Sequence, residues 1–186
     1  MLQQALSPSP HGLLLCMANS AAAFYMFAFQ VHEKSVLLPL LPLCALADKF
    51  PFLALWGPVV GAFSVWPLLW RDGVVAAYAA ACAAYLALMW RPTSGRLDAA
   101  HAADARPSRV RWLWPRVHRA CGAGLAACMA VLHAARLTLA PPEALPWLHD
   151  RVFVSFAFCA LGIGWVWLQL SQWVPAAQGS AKRKSA

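Results

Sequence analysis

The chain has 186 residues, 61% of them hydrophobic and only 12% charged, with a net charge of +8. A soluble domain carries about 25% charged residues, so this composition excludes an ordinary water-soluble globule and points to a membrane protein. Apolar residues gather in blocks of about twenty, the length a helix needs to cross a hydrocarbon core, and unbroken blocks without alternation exclude a transmembrane barrel. The expected fold is all-α: a polytopic helical membrane protein with about six membrane segments.

Residues 1–11 form an amino-terminal stub containing the turn-forming Ser7-Pro8-Ser9-Pro10. It lacks the basic region of a secretory signal, so insertion is expected to rest on the spans themselves. Residues 12–90 are expected to hold four membrane segments. The first, 12–31, is apolar apart from Asn19, Ser20 and Gln30 and stops at His32-Glu33-Lys34. The second, 35–47, is short and carries Pro39 and Pro42, which kink a helix or shorten a span unless neighbours shelter the freed carbonyls. The third, 50–70, holds Trp66 and Trp70 near its end, where indoles are expected at headgroup level. The fourth, 73–90, is rich in alanine, which predicts close packing against other helices.

Residues 91–119 form the one long polar stretch, with seven arginines against Asp98 and Asp104, and read as a cytoplasmic loop. Residues 120–173 are expected to hold two more spans joined by a short connector at 141–150. His133 and Arg136 near the end of the first of these are expected to snorkel to the interface rather than to contact a pyrophosphate. Residues 174–186 make a basic tail ending in Lys182-Arg183-Lys184. The positive charge therefore flanks membrane segments, so topology accounts for it and no nucleic-acid partner is expected. Cys16, Cys44, Cys82, Cys121, Cys128 and Cys159 all lie in apolar blocks without metal-ligand spacing, and read as small buried hydrophobes. No metal or cofactor is expected.

With the arginine loop and the tail both cytoplasmic, the 141–150 connector and the His32-Glu33-Lys34 break face a lumen or exterior. A histidine and a lysine at such an interface form a small cationic site suited to a phosphate whose lipid tail lies in the bilayer. Lysine supplies a compact charge and histidine a directional donor, both stronger where water is sparse. Glu33 can hold Lys34 or accept from a sugar hydroxyl. The plainer reading is a charged hairpin tip that keeps two spans apart.

The run Phe29-Gln30-Val31-His32-Glu33-Lys34-Ser35, preceded by Leu6-Ser7-Pro8-Ser9 and followed by Val36-Leu37-Leu38-Pro39-Leu40-Leu41-Pro42, resembles the late luminal segment of the dolichyl-phosphate-glucose dependent alpha-1,3-glucosyltransferases of the endoplasmic reticulum. Phe29-Gln30-Val31 and Ser35 look more like the enzyme that adds the first glucose than the one that adds the second. Leu139-Ala140-Pro141-Pro142-Glu143-Ala144-Leu145-Pro146 is similar to the proline-rich loop before that family's last span.

The resemblance implies a multi-pass endoplasmic reticulum membrane protein that takes part in transferring glucose, with inversion, from dolichyl phosphate glucose to a dolichol-linked high-mannose oligosaccharide in protein N-glycosylation. The donor, the acceptor and membrane lipid are its implied partners. His32, Glu33, Lys34 and Ser35 are the implied donor phosphate and sugar contacts. The family's base is an aspartate in a luminal loop near its amino terminus, which nothing here resembles. The chain is therefore expected to be the carboxy-terminal part of a longer enzyme and not to catalyse transfer alone. Asp48 beside Lys49, and Asp72 beside Arg71, read as interfacial charges rather than substitutes. Two alternatives stay open: a non-catalytic membrane subunit or lipid-phosphate-binding protein derived from that family, and a transporter, although a transporter would carry paired repeats that are not visible.

Overall fold

The computed structural model describes residues 8–28, 33–102 and 113–173, and every element among them is helical, with no strand. In chain order these are α1 (Pro10–Phe27), a 3₁₀ turn (Glu33–Val36), α2 (Leu37–Ala45), α3 (Pro51–Ser64), α4 (Trp66–Arg71), α5 (Val75–Ala102), α6 (Leu113–Thr138) and α7 (Leu148–Trp173). Local chemistry explains most of the boundaries. The Ser9 hydroxyl accepts from Gly12 N–H and Pro10 opens α1, a start signal in which proline loses no helical bond. Pro42 sits inside α2, and the freed backbone is sheltered between α1 and α3.

The 50–70 block, expected as one span, is divided at Val65. Pro67 cannot donate to the turn before it, so α3 stops at Ser64 and α4 starts afresh. Gly73, at φ +72, then closes α4, with Val74 N–H reaching Leu69 O at 3.0 Å and Gly73 N–H reaching Trp70 O at 3.2 Å. This is the glycine-dependent helix stop. The stretch expected as a loop after residue 90 is instead helical as far as Ala102, with Pro92 inside α5, and α6 begins at Leu113.

α3 is the hub, in contact with α2, α5, α6 and α7. Its residues Leu55, Trp56, Val59, Val60 and Phe63 form the main core with Trp66, Met129, Phe153 and Ala157, and Phe63 stacks on Phe153 at 4.7 Å. A second core joins Ala18, Val36, Leu40, Leu43, Leu46 and Leu168 across α1, α2 and α7. Glycines permit the closest approaches. A Cβ on Gly61 would lie 2.8 Å from Leu40 Cδ1 and 3.1 Å from Val36 Cγ2, and one on Gly122 would lie 2.9 Å from Trp56 Nε1. Leucine tips can turn aside, but the Trp56 indole is rigid and buried. Gly122→Ala is therefore expected to destabilise the fold by about 1–3 kcal/mol, read as a lower midpoint in a thermal melt in detergent.

Contacts fix which elements share an end. His11 Nε2 lies 2.9 Å from Asp48 Oδ2, so the end of α2 returns to the level of the start of α1. Val36 packs on Gly61, while Phe63 and Trp66 meet His133 and Phe153. Tyr85 donates to Ala54 O at 2.6 Å, Phe52 meets His118 and Phe50 meets Trp167. One end of the bundle thus carries the Glu33–Val36 turn, α4 and the connector between α6 and α7. The other carries His11, Asp48, the far part of α5 and the start of α6.

Partial burial pushes the Asp48 carboxyl up, but the His11 hydrogen bond and charge, its own backbone N–H and Lys49 more than offset it and hold the pKa below the ordinary value. A depressed carboxyl pKa stabilises the fold above the ordinary value and loses that contribution as pH falls through the depressed one. Both side chains are more than half exposed, so the link is worth less than about 1 kcal/mol. Asp48→Asn is expected to lower thermal stability slightly near neutrality, with the difference from wild type vanishing as the carboxylate titrates.

Helices over Pro115–Thr138 and Leu148–Gln172 are long and apolar enough to cross a bilayer, and Lys34–Ala45 and Pro51–Ser64 are shorter apolar helices. Their outward faces are greasy: Leu41 is 68% exposed, Leu88 75% and Ile163 72%. The alanine-rich α5, expected to pack closely against other helices, does so through Val75, Tyr78, Tyr85, Leu86 and Met89 and leaves most of its alanines open. The cysteines, expected to be buried, are free, and Cys44, Cys121, Cys128 and Cys159 are exposed on apolar helix faces.

Candidate functional site

α1 closes with Ala28 N–H donating to Phe24 O, and the chain re-enters as the Glu33–Val36 turn that leads directly into α2. His32 lies outside the described residues, and of Glu33 only the backbone is described. Lys34 is exposed and Ser35 half-buried. No ion pair to Lys34 occurs among the described residues. Val36, one residue further on, is buried against α3. The turn therefore places the exposed Lys34 immediately above a packed apolar wall.

Beneath it lies an apolar cavity of about 600 Å³ between α1, α2, α3, α6 and α7, within the size range of small-molecule sites, about 300–1,000 Å³. Its walls include Ala22, Tyr25 and Met26 of α1, Val36 of the turn, Pro39 and Leu40 of α2, Gly57 and Val60 of α3, Gly124 of α6 and Trp165 and Leu168 of α7. Small residues leave the space: a Cβ on Gly124 would meet nothing within 4 Å. Behind this apolar lining, Tyr25 is tied to α3 by a polar contact. The Ser64 hydroxyl donates to Gly61 O at 2.6 Å, which leaves its oxygen to accept from Tyr25 OH at 3.3 Å. Lower in the bundle the Asn19 side-chain amide donates to Gln172 Oε1 at 2.7 Å and the Asn19 backbone carbonyl accepts from Trp165 Nε1 at 3.2 Å. These bonds clamp α1 to α7 along one side of the cavity.

Nothing in the sequence marked Tyr25, Ser64 or the cavity walls. Tyr25 lies seven residues before His32 in the sequence, a spacing that carries no signal without knowledge of which face α1 turns inward. Asp48 pairs with His11 across the bundle rather than with the adjacent Lys49, and Asp72 pairs loosely with Arg71 at 3.8 Å at the exposed surface. Two expectations are corrected. His133 does not snorkel: its ring is enclosed by Phe63, Trp66, Tyr78 and Phe153, because the alanines around it in α6 leave room for inward packing. Trp66 is a core residue, 3% exposed, and only Trp70 reaches the surface. No group of three or more metal-ligating side chains occurs among the described residues.

A wholly helical bundle, apolar on its outer faces and holding an apolar cavity that ends beside a lysine-bearing turn, has the build of a membrane-embedded protein. Comparison of the sequence makes the assignment specific: the chain belongs to the ALG6, ALG8 glycosyltransferase family, whose profile matches residues 1–170. It is similar to the dolichyl pyrophosphate Man9GlcNAc2 alpha-1,3-glucosyltransferase of Gallus gallus, with 33% identity over 161 residues covering 82% of this chain and 32% of the relative. A probable enzyme of the same name from Arabidopsis thaliana is 32% identical over 180 residues, covering 93% of this chain and 32% of the relative. The Saccharomyces cerevisiae enzyme is 28% identical over 182 residues, 90% of this chain and 34% of the relative. The chain thus spans about a third of the length of the curated relatives it matches.

Proposed function

We propose that this chain forms the donor-binding part of an inverting alpha-1,3-glucosyltransferase of the endoplasmic reticulum membrane, which moves glucose from dolichyl phosphate glucose to a dolichol-linked oligosaccharide. Six membrane segments thread the bilayer, with the Glu33–Val36 turn on the luminal side. The His11–Asp48 contact supports a second block that returns fully across, and the sharing of one end by the turn and the α6–α7 connector supports a common side for both. The cavity running from Val36 down the α1–α2–α7 wall carries the reading, because it sets a space for an isoprenoid chain directly under a cation.

In that arrangement Lys34, with His32, holds the donor phosphate, while Glu33 and Ser35 face the glucose. The acceptor hydroxyl attacks the anomeric carbon from the face opposite the phosphate, the bond from that carbon to the phosphate oxygen breaks, and the phosphate departs with the electron pair. Cationic donors lower the barrier by stabilising that departing charge. A base must take the hydroxyl proton. Of the described carboxylates at the turn end, Asp72 is engaged with Arg71 at the surface, while Glu143 and Asp150 lie at the same end without an ion pair among the described residues.

A photoreactive polyprenyl phosphate glucose, added to membranes containing the protein, is expected to cross-link to the α1, α2 and α7 residues that line the cavity. Dolichyl phosphate should compete and dolichol should not. Cross-links confined to the outer faces, or equal competition by dolichol, would contradict the reading.

A further inference from the structure

On the other side of the same α3 end lies a second polar cluster that the donor site does not use. Trp66 is 3% exposed, yet its indole Nε1 has no hydrogen-bond partner, and neither do the buried His133 Nε2 and Arg136 Nε. The three belong to one contiguous group: the Trp66 and His133 rings lie 4.3 Å apart, Trp66 lies 5.8 Å from Trp70, and the Arg136 guanidinium sits 5.4 Å over the Trp70 ring. His133 is oriented by its Nδ1, 2.6 Å from Met129 O, so Nδ1 carries the proton there and Nε2 is turned into the cluster.

Native structures leave few buried polar atoms unpaired, and each one calls for a reason. Two of these atoms are N–H donors, the arginine is always charged, and no carboxylate among the described residues pairs with it. An arginine whose Nε is shut away from solvent is costly without a counter-charge. Water supplies no such charge, whereas an oxyanion accepts from both N–H groups.

We infer that Trp66, His133 and Arg136 form a second anion site, for the pyrophosphate head of a polyprenyl-linked acceptor. The inference rests on the glucosyltransferase reading, in which two lipid phosphates must meet at one face. The relatives' names specify a dolichyl pyrophosphate. Geometry separates the two sites by the end of α3: Gly61 touches Val36 below the lysine-bearing turn, while Phe63 and Trp66 touch His133 on the other side. A monophosphate donor held by Lys34 and a pyrophosphate acceptor held by Arg136 would then face each other across α3.

The test uses the full chain in phosphatidylcholine nanodiscs, with ¹⁵N-indole spectra read during titration. The Trp66 signal is assigned by its absence in Trp66→Phe. A short-chain polyprenyl pyrophosphate is expected to shift the Trp66 signal in the unmodified protein. Arg136→Gln should weaken that binding by about tenfold or more, the loss expected for a charge-assisted phosphate contact. It should leave polyprenyl monophosphate binding unchanged, and Lys34→Ala should do the reverse. Trp66→Phe, which keeps the ring and removes the donor, should also weaken pyrophosphate binding, and serves if Arg136→Gln does not fold.

A Trp66 signal that does not move, or Arg136→Gln binding within twofold of wild type, overturns the inference. So does inorganic pyrophosphate binding as tightly as the lipid, which would make this a free-anion site. If Lys34→Ala weakens both ligands equally there is one site rather than two, and the donor reading survives without this one.

Discussion

Lys34→Ala is expected to lower glucose transfer to the lipid-linked oligosaccharide by about a hundredfold, the scale seen when one preorganised donor to a developing anion is removed. Lys34 follows the backbone of a tight turn, is exposed and is unpaired among the described residues, so its charge is available to a ligand rather than spent on a neighbour. In the proposed placement lipid replaces water on one side of it, which strengthens a cation acting on a phosphate. His32→Ala should act in the same direction. Ser35→Ala, which removes at most one neutral hydrogen bond, should cost no more than about tenfold. The assay is transfer from dolichyl phosphate glucose in microsomes from cells carrying each substitution at the genomic locus, normalised to protein level. Arginine at position 34 is expected to restore only part of the rate, since its planar fork is larger than a compact ammonium. Unchanged transfer in Lys34→Ala, at normal protein level, would remove the cation from the mechanism.

Gly124→Phe is expected to raise the KM for a long-chain donor by tenfold or more while leaving the fold intact. Gly124 lines the cavity, and a Cβ there would meet nothing within 4 Å, so a benzyl group extends into open space instead of into a neighbour. Filling an empty apolar space without strain does not destabilise. The thermal midpoint should hold or rise. Two residues earlier the outcome reverses, because any side chain on Gly122 presses on Trp56 and acts on stability rather than on donor binding. A donor with a chain too short to reach Gly124 should be used by Gly124→Phe almost as well as by the unmodified protein. Equal impairment with short and long donors would place the isoprenoid chain elsewhere.

The sequence made some parts of this architecture legible and concealed others, for reasons that follow from lipid as solvent. Composition was enough to call for helices, since a backbone in hydrocarbon must satisfy itself, whereas α1 ends at Phe27, short of the expected stop at His32-Glu33-Lys34. The stop at Ser64 was readable in principle from Pro67, but the unbroken hydrophobicity of residues 50–70 masked it. Which way a side chain faces was not readable. A helix that is apolar all round carries no periodic signal of its inner face, so Trp66 and His133 were expected at the interface and turned out to be packed inside. The cysteines failed in the opposite sense: an outward face in lipid is as apolar as a core, so Cys128 and Cys159 sit comfortably exposed. The helical run through Arg91 and Arg96 was hidden by charge, although arginine is itself a good helix former. The cavity could not be read at all, because it arises from glycines and alanines on four helices that are far apart in the chain.

The central claim is that a lysine-bearing turn on the luminal side grips the donor phosphate, and sidedness tests it most directly. Ser35→Cys, introduced after the six native cysteines are replaced by alanine, is treated in sealed microsomes with a membrane-impermeant maleimide. The account predicts no labelling until the membranes are opened, and then protection of the cysteine by dolichyl phosphate glucose. Labelling in intact, right-side-out microsomes would put the turn in the cytosol and contradict it.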